Sequence, residues 1–100
     1  MDVNNRTALH LAALNGNEGV AAHLLQANAS VTAADNSGWN SLHYASYHGK
    51  AQVVDLMLQA KASPTAVAKN GLTPAQYAEQ CGYPNLAARL RQAEQAPSSM

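Results

Sequence analysis

Apolar residues along this chain recur with the spacing of short helices, and one layout is used three times. In Val53-Val54-Asp55-Leu56-Met57-Leu58, positions 53, 54, 57 and 58 form an i, i+1, i+4, i+5 stripe. That stripe lies on one face of a helix and marks it for burial. It predicts a helix over 51–59, with counterparts over 18–26 and about 84–95. A shorter helix is expected before each, over 8–15, 41–48 and 74–81. These open behind Thr7, Asn40 and Thr73, residue types whose side chains accept a hydrogen bond from the first turn. Pro74 stands first in its helix, where a missing N–H costs nothing. Gly16, Gly49 and Gly82 end the short helices, where a left-handed residue is wanted. Between the pairs, 33–38 and 67–71 carry Asp, Asn, Ser and Gly suited to tight reversals.

The repetition is exact in its step. Ala8-Leu9-His10 and Ser41-Leu42-His43 lie 33 residues apart. The same step joins Gly16, Gly49 and Gly82, then Ala12, Ala45 and Ala78, and Val20, Val53 and Leu86. Leu24, Met57 and Leu90 keep it, as do Ala27, Ala60 and Ala93. The units run 2–34, 35–67 and 68–95, making one array over 1–95 followed by a tail, 96–100, expected to be disordered. Each unit is too thin to bury its own apolar face, so stacking must do it. Arg89, Arg91 and Gln92 replace the more apolar His23, Leu25, Gln26 and Leu56, Leu58, Gln59 of earlier units, which makes the third unit read as a C-terminal cap. The first unit has no polar outer face: Leu9, Leu11, Ala12, Leu24 and Leu25 read as an internal repeat. The expectation is that further repeats precede it in a longer protein.

The stretch from Asp35-Asn36-Ser37-Gly38-Trp39-Asn40-Ser41-Leu42-His43-Tyr44-Ala45 through Gly49 to Val53–Leu58 resembles the ankyrin repeat. Arg6-Thr7-Ala8-Leu9-His10-Leu11-Ala12-Ala13 and Asn70-Gly71-Leu72-Thr73-Pro74-Ala75 are similar to the same signature. The resemblance covers about residues 2–93. It implies an all-α, helix-turn-helix solenoid with short β-hairpin loops between repeats. Departures are Ala8 and Ser41 in place of the helix-opening proline, Gln76 in place of the histidine, and Thr32 and Thr65 where the family usually has a loop asparagine. The last pair argues against asparagine hydroxylation at those places. For His10 and His43 the resemblance implies half-buried imidazoles bonded to a neighbouring turn.

Composition narrows the function. Lysine plus arginine equals aspartate plus glutamate, and no basic cluster appears, so nucleic acid is not an expected partner. No apolar run reaches the ~18 residues of a membrane span, and the N-terminus lacks a signal-peptide layout. The lone Cys81 cannot close an internal disulfide and fits a reducing compartment, so the cytoplasm is expected, with the nucleus as the alternative. Equivalent residues on stacked helices sit ~8–10 Å apart, too far for His10 and His43 to share a metal ion. The same offset separates Cys81 from His48, no carboxylate accompanies them, and no Gly-rich phosphate loop is present. The chain is therefore expected to be no enzyme, with no cofactor, no metal and no small-molecule substrate.

The expected function is binding of a partner protein or peptide. The resemblance implies that hairpin tips and first helices line a concave side. That places Asn36, Ser37, Trp39, Tyr47 and His48 there from the second unit. The first contributes Val3, Asn4, Arg6, Leu14 and Asn15, and the third Lys69, Asn70, Leu72, Gln80 and Cys81. Trp39 follows Gly38 on a turn and, beside Tyr47 and Arg6, would form one anchor patch of the residue types that dominate interfaces. The alternative for Trp39 is packing over a neighbouring turn. Tyr44 and Tyr77 are read as inter-repeat packing with wet hydroxyls, and Arg89 and Arg91 as a solvated face. The rival function is a structural or regulatory segment that packs against another domain of its own chain.

Overall fold

The computed structural model describes residues 7–27, 29–31 and 33–95. Six helices follow in order: α1 (Ala8–Asn15), α2 (Glu18–Gln26), α3 (Ser41–Tyr47), α4 (Ala51–Gln59), α5 (Pro74–Gln80) and α6 (Pro84–Gln95). The helices expected over 41–48 and 74–81 end one residue earlier, because His48 and Cys81 serve as their caps. The proposed tail at 96–100 lies outside the described residues. The short helices stack in one row, α1 on α3 and α3 on α5, while α2 packs on α4 behind them. No strand forms among the described residues. The expected hairpins are tight reversals closed by backbone bonds, such as Asp35 N–H to the Trp39 carbonyl at 2.9 Å.

Small residues let the helices approach. The core holds Ala12, Ala13, Ala21, Ala45, Ala62, Ala75, Ala78 and Ala87 between larger anchors Leu9, Leu42, Val53, Val54, Met57, Leu86 and Leu90. Each fully buried Leu, Val or Met contributes ~1.5–3 kcal/mol of apolar burial. Glycine plays the same part between units. Gly49, at φ 70°, lies under the Tyr83 ring, and a Cβ there would come within 2.7 Å of it. The equivalent columns are not equally covered: Val53 and Leu86 are buried, whereas Val20 is 45% exposed. The ends also differ in charge. Arg89 and Arg91, expected to be simply solvated, pair with Asp55 and Glu79, both at 2.9 Å. These pairs are exposed, so they contribute little stability.

His10 and His43 tie one unit to the next, and they are fully buried rather than half-buried. Each stands third in its helix. Thr7 N–H donates to His10 Nδ1 at 2.8 Å, and Asn40 N–H donates to His43 Nδ1 at 3.0 Å. A backbone N–H can only donate, so Nδ1 is bare and the ring proton sits on Nε2. That proton reaches the Trp39 carbonyl of the following unit (2.9 Å) for His10; for His43 it reaches the Ala66 carbonyl (3.1 Å) at the end of its own unit, with the Leu72 carbonyl of the following unit also facing the ring. In the third unit exposed Gln76 keeps the cap, accepting from Thr73 N–H at 2.9 Å.

Burial chiefly depresses the His43 pKa; the carbonyls of Leu72 and Ala66 and the Asp35 charge oppose it less strongly. The unfolded chain takes up this proton near pH ~6.5, the folded chain only at lower pH. Below ~6.5 the unfolded state therefore binds more protons, and stability falls as pH drops. The expected slope from this group is up to ~1.4 kcal/mol per pH unit until the folded value is passed. Urea melts between pH 5 and pH 7.5 check this, with His43→Gln as control. The variant should show the shallower acid dependence; equal slopes would contradict the assignment.

Ser41 shows the opposite situation. It is buried, and its hydroxyl has no hydrogen-bond partner. An unsatisfied buried polar group costs ~1–3 kcal/mol. Ser41→Ala should stabilise the fold by about 1 kcal/mol, raising the Tm by several degrees. Ser41→Pro should do at least as well, because Asn40 is extended at ψ 179° as a residue before proline must be. A drop in Tm for both would show that the hydroxyl is engaged.

Candidate functional site

The loop between α2 and α3 is built around one carboxylate. Asp35 Oδ1 accepts the N–H groups of Ser37 (2.9 Å) and Trp39 (3.0 Å), and Oδ2 accepts the Tyr44 hydroxyl. Burial pushes this carboxyl upward, but the Tyr44 hydroxyl and the two amides together outweigh it and hold the pKa below its usual range. The next unit has Ala68 at the equivalent position, and Asn70 takes over. Its Oδ1 accepts Leu72 N–H at 3.2 Å and the Tyr77 hydroxyl at 2.9 Å. The two loops are joined by Lys69 N–H donating to the Ser37 carbonyl at 3.1 Å. Gly38, at φ 77°, permits this approach, since a Cβ there would stand 2.8 Å from the Lys69 nitrogen.

With the loops held this close, the aromatic side chains meet. The Trp39 ring lies 4.6 Å from Tyr77, 5.0 Å from Tyr44 and 5.2 Å from Tyr47. Trp39 is thus half-buried in a cluster spanning two units, so it packs over the neighbouring loop as well as standing in the expected patch. Asn36, Ser37, Trp39, Lys69, Asn70 and Tyr77 line a cleft of about 370 Å³ between the two tips. Tyr47 stands beside it, 41% exposed, with the His48 ring 5.0 Å farther along. Partial burial, then the charge of Lys50, lowers the His48 pKa, which keeps the ring neutral near pH 7.

Of the residues expected to bind a partner, the cleft gathers Asn36, Ser37, Trp39, Lys69 and Asn70, with Tyr47 and His48 adjoining. Leu14 and Asn15 end α1, one half-buried and one exposed. Gln80 and Cys81 end α5, and Leu72 is half-buried below its loop. Arg6, Val3 and Asn4 lie outside the described residues, so only the Trp39–Tyr47 part of the expected patch is seen. Tyr77 packs between units as expected, buried against Trp39 and His43 at the back of the cleft, but its hydroxyl is held by Asn70. Tyr44 likewise spends its hydroxyl on Asp35.

Among the described residues, no three His, Cys, Asp or Glu side chains converge to hold a metal ion. No described helix is long and apolar enough to cross a membrane. A family model described as ankyrin repeats (3 copies) matches residues 1–68, the first two units. The third unit, with Ala75 and Gln76 where the others carry Leu and His, lies beyond the matched span. No curated protein matches the chain.

Proposed function

The chain belongs to the ankyrin-repeat family, whose members are generally protein–protein interaction modules, and from that premise we propose that it receives a partner protein or peptide on its concave side. The surface runs across the loop tips and the exposed sides of α1, α3 and α5. One observation carries the reading: an aromatic ledge of Trp39 and Tyr47, backed by buried Tyr77, flanks a polar-rimmed cleft whose walls are fixed by backbone bonds. Large rings set in a rigid frame lose little freedom on binding, so their burial goes largely into affinity. Leu14 and Asn15 on one side, and Gln80 and Cys81 on the other, form the margin. The free thiol of Cys81 supports a reducing compartment, cytoplasmic or nuclear.

The test uses the immobilised protein, a cell lysate and two substitutions on opposite sides. Tyr47→Ala removes an exposed concave ring, and Gln59→Ala changes an exposed position in the groove between α2 and α4. Retained partner should fall at least about fivefold for Tyr47→Ala at unchanged Tm, in keeping with a ring worth ~1 kcal/mol or more at an interface. Gln59→Ala should retain it fully. Loss with Gln59→Ala and full retention with Tyr47→Ala would place the interface on the other side.

A further inference from the structure

The cleft between the loop tips is biased toward hydrogen-bond donors. Its nearest carboxylate, Asp35, is buried and accepts three bonds from its own loop. Asn70 has its carbonyl oxygen turned inward, because Leu72 N–H and the Tyr77 hydroxyl both donate to it. Leu72 N–H is a backbone donor, so the orientation of the Asn70 amide is determined and its NH₂ is left to face outward. Exposed Lys69 adds an ammonium on the same wall. The other carboxylates nearest this end of the array are committed elsewhere: Asp55 pairs with Arg89, and Glu79 with Arg91. The cleft therefore presents a cation and an amide donor above an apolar floor formed by the half-buried Trp39 ring, with buried Tyr77 packed 4.6 Å from it.

Resting on the concave-face reading above, we propose that this cleft selects an extended peptide segment with an acidic side chain next to an apolar one. The carboxylate sits between the Lys69 ammonium and the Asn70 amide. Its apolar neighbour covers the Trp39 ring, which the buried Tyr77 ring supports from behind. Charge complementarity is the reason for an acidic ligand: a basic side chain would meet Lys69 without an acceptor to compensate, and like charges brought together oppose binding. A neutral amide would lose the charge-assisted part of the bond, which is roughly twice as strong as its neutral counterpart.

Trp39 is the single tryptophan of the chain, so its emission reports this cleft and nothing else. A library of random linear dodecapeptides is panned on the folded protein, and the strongest isolate is synthesised in its Glu or Asp form and as the Gln or Asn form. The expected result is enrichment of acidic residues beside apolar ones and a saturable change in Trp39 emission. The amide peptide should bind about tenfold more weakly, the size of one charge-assisted hydrogen bond. Lys69→Glu, an exposed change checked by its Tm, should remove that preference. Neutral or basic isolates that perturb Trp39 and compete with the retained partner would overturn the acidic assignment and leave the concave-face reading standing. Isolates that leave Trp39 emission unchanged, and whose binding survives Tyr47→Ala, would overturn both.

Discussion

One ring joins neighbouring units of this array. The imidazole of His10 uses Nδ1 to satisfy the amide that opens its own helix and Nε2 to hold the Trp39 carbonyl of the following unit. His43 uses Nδ1 in the same way, and its Nε2 holds the Ala66 carbonyl in the loop leading to the third unit, with the Leu72 carbonyl of that unit also facing the ring. Each ring is buried, so its loss would strand a backbone donor and a carbonyl away from water, the costly half of hydrogen bonding. A neutral ring with its proton on Nε2 is the only charge state that satisfies both neighbours. A protonated ring would turn an N–H against an N–H. The helix cap and the stacking of units are thus one interaction and stand or fall together.

The rest of the architecture follows from holding the units this close. The alanine-rich interior and the glycine beneath Tyr83 remove the bulk that would keep helices apart. His10 anchors the Trp39 carbonyl from below while Asp35 takes the Trp39 amide from the side. The indole is therefore aimed by its backbone before any ring contact is made. Lys69 and Ser37 then join adjacent tips, and the cleft acquires fixed walls. A binding surface assembled in this way owes its rigidity to the core beneath it and not to its own contacts.

Much of this was legible along the chain, because each unit repeats its chemistry at one step. Thr7, Asn40 and Thr73 cap the helices they were expected to cap, and the six helices fall within a residue of their expected bounds. What was not legible depended on neighbours that the repeat does not copy. Equivalent positions suggested one role for Tyr44 and Tyr77, yet their hydroxyls find different loop partners, since Asp35 is replaced by Ala68 and the work passes to Asn70 two residues on. Trp39 reads from its turn as either an anchor or a cover for a neighbouring turn, and the aromatic neighbours that half-cover it come partly from the next unit. Val20 occupies the same column as Val53 and Leu86 and is left far more open, a difference set by what packs against it. Periodicity reveals the shared frame and conceals the pairings that cross it.

The central claim is that His10 and His43 are neutral rings with the proton on Nε2, each joining its own helix cap to the loop that packs against it. Nitrogen-15 NMR of the imidazole rings at pH 7 tests it most directly. The account predicts, for both residues, an acceptor-type Nδ1 and a protonated Nε2 whose hydrogen exchanges slowly with water. Rings that average between the two tautomers, or that carry the proton on Nδ1, would contradict it.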